Sequence, residues 1–339
     1  MALSEAPASL AARAFAAPSY KKALFQFGHT ILLYGVAIFL MFQLLPTSWW
    51  LSLAVAPVAV AAYLRLFMIG HDCAHRSYLP KRWQNNLLGN LVGVLTNTPL
   101  LYWGSQHAMH HRTTGNLDRR GAGDVNTMTV EEYRLASLPA RIWYRIYRNP
   151  FMLMVVFAPI YFIFMLRLPL EQKKPSRAIW YSVVGTNLGI SLYYGTLIWL
   201  VGVESFLLVF GPVVFLSSVG AVWLFYIQHQ FEDAYWQRDA DWNYHDATLY
   251  GSSFYDLPRW AHWATGNIGY HHIHHLNPRV PNYSLAACYA SDPAVRDAKS
   301  ISFLQSLSLG RLALWDEAAG RMIRFDELDQ AGSQVPLSS

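Results

Sequence analysis

The sequence predicts an all-α integral membrane protein. Four helices cross the bilayer, two re-entrant or interfacial segments dip in and return, and a helical cytoplasmic cap carries a histidine-rich site. Three observations predict this. Of 339 residues, 53% are hydrophobic and only 14% are charged, against about a quarter charged in soluble domains. Four uncharged apolar runs approach or exceed the roughly 20 residues that a spanning helix needs. If only those four cross, all 26 Lys and Arg residues fall on one side, which the positive-inside rule makes the cytoplasm.

The elements follow in chain order. Met1 to Tyr20 is rich in Ala and Pro and lacks a basic region followed by an apolar run, so no cleavable signal peptide is expected. Residues 1–22 are read as a flexible or membrane-surface segment. The crossing runs are Ala23–Leu45, Ser48–Leu64 (extending as a helix to about Ile69), Ala178–Val201 and Ser205–Gln228. Trp83–Gln106 is also uncharged, but Asn85, Asn86, Gly89, Gly93, Asn97 and Pro99 interrupt it. Phe151–Leu166 contains Pro159 and has basic residues at both flanks. These two are the segments expected to dip, tolerable at that depth only where protein covers the irregular backbone. Residues 23–290 then form one membrane domain with its cap, and residues 291–339 a cytoplasmic helix or tail.

The formal charge of +5 suits anionic headgroups or an acidic partner. Its scatter along the chain weighs against nucleic acid. Two cysteines, Cys73 and Cys288, are too few for a four-cysteine iron–sulfur site or a zinc ribbon.

Eight of the 13 histidines occur in three tight groups: His71 and His75 in HDCAH, His107, His110 and His111 in HAMHH, and His271, His274 and His275 in HHIHH. A lone interfacial histidine is usually an ordinary polar residue, and one HxxxH is weak evidence. Three groups brought to one membrane face, by a topology that used only Lys and Arg, are much stronger. Residues i and i+4 stack on a helix, whereas i+3 and i+4 lie about 100° apart. His110 and His111, like His274 and His275, can therefore each reach one of two adjacent ions, and two opposed HxxHH motifs point to a dinuclear centre. Neutral imidazole suits Fe, Zn, Cu or Ni, and spacing does not choose among them. His229, in YIQHQFED at the end of the fourth run, is placed to join the set. His272 breaks the HxxHH spacing and is expected behind the ligands or at the surface; His29, His245 and His262 are read as ordinary polar residues. Asp72, Glu232, Asp233 and Asn267 are candidates to hold the ligands' second ring nitrogens.

These motifs resemble the three histidine boxes of membrane fatty acid desaturases, most closely the bacterial and plastid acyl-lipid type. The similarity runs from about Gly70 to Tyr289, and TGNIGYHHIHHLNPRVPNY is its most specific part. Ala74 and Arg76 depart from the usual pattern without removing a ligand. The resemblance implies a non-haem di-iron centre with ligands at the eight box histidines and at His229. It also implies O2 as co-substrate and a cis double bond introduced into a fatty acyl lipid, with a delta-12 or omega-6 position as the first expectation. No haem-binding HPGG segment or cysteine cluster is present, so electrons are expected from a separate donor such as ferredoxin. A bacterial inner membrane, with both termini and the site cytoplasmic, is the expected location. The rival reading is a di-iron hydroxylase or ketolase acting on lipids or carotenoids. A metal transporter would need polar ligands near mid-membrane, whereas these lie past the helix ends.

Overall fold

The computed structural model describes residues 7–333, apart from residues 122, 171 and 173. The N-terminal stretch differs from its expected flexibility, because α1 (Pro7–Ala14) is a helix. Its Ala8 and Ala12 pack against Ile273, Leu276 and Cys288. Small side chains allow that close approach and leave no apolar run to signal it. Residues 1–6 of the expected segment lie outside the described part.

Four long helices arise from the uncharged runs: α2 (Tyr20–Leu44) and α3 (Trp49–Ala74) first, the other pair after three sections of chain. Ser19 caps α2 by accepting from the Lys22 amide. α3 runs past Leu64, where the uncharged run stops, and on beyond Ile69; Arg65 does not end it. That buried side chain donates to the Thr30 hydroxyl and the Trp263 carbonyl and lies 4.6 Å over the Trp263 ring.

The broken run becomes two helices, α4 (Arg82–Leu95) and α5 (Leu100–Thr113). Each is about 21 Å long, too short to span. Their turn places Asn97 at φ +56°. Its amide donates to the Tyr63 and Tyr194 hydroxyls, and its carbonyl accepts from Arg167, so the irregular backbone is covered and satisfied.

The next section starts with β1 (Met128–Thr129), α6 (Val130–Leu135) and α7 (Leu138–Tyr147). A π-helical turn at Met152–Phe157, α8 (Ala158–Ile163) and a 3-10 turn at Met165–Arg167 follow. Met152–Arg167 is bent 74° from α7. α9 (Arg177–Val201) and α10 (Val203–Ile227) then form a hairpin through Gly202 alone, whose φ of +80° suits glycine. Together α2, α3, α9 and α10 are long and apolar enough to cross a membrane. α3 is central and packs on α2, α4 and α10.

Beyond α10 come α11 (Tyr244–Tyr250), β2 (Phe254–Asp256), α12 (Arg259–Ala264), α13 (His271–Leu276) and α14 (Asn282–Ser291). β3 (Ser300–Ser302), α15 (Phe303–Leu309), β4 (Leu314–Asp316), β5 (Arg321–Ile323) and α16 (Phe325–Ser333) complete the described chain. The all-α expectation therefore needs a correction: the fold is mostly helical, but β1, β4 and β5 form one small sheet and β2 pairs parallel with β3. Strands of two or three residues are too short to show alternation in a sequence. Arg148 fastens this part to the end of α10. Fully buried, it donates to the carbonyls of Asn126 and Leu312, the hydroxyls of Thr127 and Tyr226, and Gln230 Oε1, all at 2.8–3.0 Å.

Candidate metal centre

Four backbone elements end at one place. His71 lies in the last turn of α3 and His75 caps it. His107, His110 and His111 lie on α5, His229 follows α10, and His271, His274 and His275 lie on α13. All nine converge in two groups, each with ligand atoms within 4.8 Å of one another: His71, His75, His107, His111 and His274 in one, and His110, His229, His271 and His275 in the other. Each i, i+4 pair stays within one group. His110 and His111 fall into different groups, as do His274 and His275, as the angular offset requires.

In the group of four, the Nε2 atoms form a closed circuit. His110 to His229 is 3.1 Å, His229 to His271 2.9 Å, His271 to His275 3.1 Å and His275 to His110 3.2 Å. Around an ion bound through ~2.1 Å imidazole bonds, neighbouring nitrogens lie at such distances. In the group of five, contacts of 2.9, 3.1 and 2.9 Å link His71, His107, His111 and His274. The His75 ring stands 4.8–4.9 Å from each of those four rings. Its Nε2 is buried without a hydrogen bond.

The outward-facing nitrogens set the tautomers. His229 Nδ1 is 2.8 Å from the Gly251 carbonyl, which can only accept, so Nδ1 carries the proton and Nε2 is bare. His110 Nδ1 likewise donates to the Asp124 carboxylate, which turns its Nε2 toward His229. The two Nε2 atoms face each other at 3.1 Å. Burial first, then neighbouring histidines, pushes the His229, His271 and His275 imidazoles well below their usual pKa, and the same holds for His107, His111 and His274. Neutral, buried, convergent nitrogens are what a divalent metal takes as ligands.

The residues expected to hold the ligands separate. Asp72 Oδ1 accepts from His71 Nδ1 at 3.0 Å, and its Oδ2 accepts from the Asn282 amide and side chain at 2.6 and 2.8 Å. Asn267, at φ +59°, stands one step farther out, donating to the Asn282 carbonyl at 3.0 Å. Glu232 is exposed, and its backbone carbonyl accepts from Met322. Asp233 is exposed and pairs with Lys299. The chain turns outward after Gln230, which carries both acids away from the rings.

Sequence reasoning missed Asp124 and Asn282. Asp124 sits 14 residues past His110, outside helical spacing; the one signal was its place in the glycine-rich RRGAGD. Gly123, at φ +73°, is what lets that loop reach α5, since a Cβ there would stand 2.5 Å from the Gln106 carbonyl. Of the unassigned histidines, His272 turns outward to the Val295 carbonyl at 2.8 Å, and His262 stacks on Tyr270.

A cavity of about 510 Å³ reaches both groups, with His71, His107 and His271 in its wall. Most of the remaining lining is apolar, including Phe67, Trp103, Phe162 and Phe225. Its size suits one elongated apolar ligand.

Comparison with known proteins matches this sequence to a family. The model of the fatty acid desaturase family covers residues 47–303. A fatty acid desaturase of Bacillus subtilis (strain 168) is 40% identical over 326 residues, which is 96% of this chain and 92% of that protein. An sn-1 oleoyl-lipid 12-desaturase of Synechocystis is 27% identical over 75% of this chain and 70% of its own. An sn-1 acyl-lipid omega-3 desaturase (ferredoxin) of Nostoc sp. (strain 36) is 27% identical over 79% of this chain and 74% of its own. With the family model matching most of the chain and a relative at 40% identity along nearly all of it, this protein belongs to the fatty acid desaturase family and is an oxidoreductase.

Proposed function

We propose that this desaturase introduces a cis double bond into the fatty acyl chain of a membrane lipid at a non-haem di-iron centre held by the nine histidines. The observation that carries the metal assignment is the buried convergence of nine imidazoles, with the Nε2 atoms of His110 and His229 3.1 Å apart and the ligand atoms of each group within 4.8 Å of one another. A bound cation would take these nitrogens as ligands. The family supplies the choice of iron, and the donor set suits it. Bound iron would supply the oxidising power that side chains lack: O2, two electrons and two protons take two hydrogens from adjacent saturated carbons, leaving a double bond and two waters.

The chain's own residues do the positioning. Asp72, Asp124 and the Gly251 carbonyl fix the tautomers and ring orientations of His71, His110 and His229. Phe67, Trp103, Phe162 and Phe225 keep the cavity apolar, so that water is excluded and one stretch of a saturated chain is held beside both groups. Electrons come from a separate donor. A ferredoxin fits the excess of basic residues on the same side as the site, and one relative's name includes that donor. By the same charge argument, that side and both termini face the cytoplasm of a bacterial inner membrane, and α4–α5 is a re-entrant hairpin.

The test is His110→Ala in an expressing host. Inserted protein is expected to persist while new double bonds disappear from the lipids, read by gas chromatography, and iron bound to the purified protein falls. Unchanged unsaturation rejects the ligand assignment, and a product that retains an inserted hydroxyl rejects desaturation.

A further inference from the structure

We propose that the acyl chain reaches the metal cavity sideways from the surrounding bilayer, through the gap between α7 and the π-helical turn at Met152–Phe157. This rests on the desaturase reading and names where its substrate comes from. Trp143, Ile160 and Met165 line the cavity and are 59%, 41% and 38% exposed. Wall residues this accessible mark an opening. Across it, the Phe157 ring faces Trp143 at 5.8 Å and Tyr147 at 6.1 Å. These ring contacts can part and reseal around a chain.

The surroundings of the mouth identify the medium that covers it. α7 presents Leu138, Ile142 and Ile146 beside Trp143, all exposed, at the i, i+4, i+8 spacing of one helix face. The opposite face cannot give way to bury them. Tyr144 is buried and donates to the Ala313 carbonyl at 2.6 Å, and Arg145 pairs with Asp329. Beyond the bend, no charge occurs from Phe151 to Leu166, and Phe151 itself is exposed. An amphipathic helix running into an uncharged segment lies in the headgroup–acyl boundary, with its apolar face down. The mouth thus opens onto hydrocarbon. A chain tethered to a soluble carrier would need a mouth facing water.

A π-helical turn is rare and tends to occur at functional sites. Here its widened backbone sits between α7 and α8, where the direction changes by 74°. It holds Phe157 in the mouth and Leu153 in the cavity wall.

The experiment has two arms. Both native cysteines are buried, so Trp143→Cys can carry a single fluorophore in proteoliposomes. Phospholipids with a nitroxide high on the acyl chain are expected to quench it. Quenching by aqueous iodide alone overturns the proposal. In the second arm, Trp143→Cys/Phe157→Cys is bridged with a short bismaleimide. The bridged protein is expected to keep its bound iron and desaturate bilayer phospholipid at least tenfold more slowly than the unbridged double variant. An equal rate, or faster conversion of a soluble acyl thioester than of phospholipid by the unbridged form, overturns the route. Absence of double bonds in every lipid given to the parent enzyme would instead reject the desaturase reading, and the quenching arm still decides the portal.

Discussion

The outer face of the long helices and the interior of the cap invert each other's polarity. On α9, Trp199 and Leu192 are 82% and 74% exposed. Under the cap, Arg148 is 1% exposed and His272, His275 and Gln228 are fully buried. The two regions are stable for different reasons. Between helices in lipid there is little hydrophobic drive, and packing and a few hydrogen bonds suffice. An exposed leucine there loses nothing by facing hydrocarbon. In the cap, side chains such as Arg148 have traded water for directed partners, and leaving a partner unpaired costs the full desolvation of that group. A side chain's exposure therefore says little about its importance until the neighbouring medium is known.

Arg148→Leu tests this contrast hardest. Five acceptors lose their donor, and stability is expected to drop by about 3 kcal/mol or more, read as a lowered Tm in nanodiscs; a parental Tm would break the contrast. Asp124→Asn is next. It replaces the carboxylate behind His110 with a neutral amide, and iron affinity measured by metal titration is expected to fall roughly 10–100-fold with helix content unchanged. Undiminished affinity would make that carboxylate idle. The smallest effect belongs to Leu192→Ala, expected to change stability in a bilayer by less than about 0.5 kcal/mol. A loss several times larger would show that this face of α9 packs on protein, such as a second copy of the chain.

Particular residues show how much could be read in advance. The runs that became α2, α9 and α10 are long, uncharged and continuous, so their length and lack of charge were enough. α3 was harder, because Arg65 looks like a boundary until Thr30 and the Trp263 carbonyl are seen to satisfy it. His110 and His111 separate by angle alone on one helix, which spacing describes. Asp124 reaches His110 through a glycine turn, and Asn282 reaches Asp72 across 210 positions; no local pattern encodes either.

From residue order alone come the four helices long and apolar enough to span and the split of each HH pair, because both depend on rise, angle and charge within one segment. The division into five and four, the carboxylate behind His110 and the carbonyl behind His229, the small sheets and the opening beside α7 depend on which segments touch. Those contacts are set by side-chain fit and by pairing of buried polar groups, and they exist only once the chain has folded.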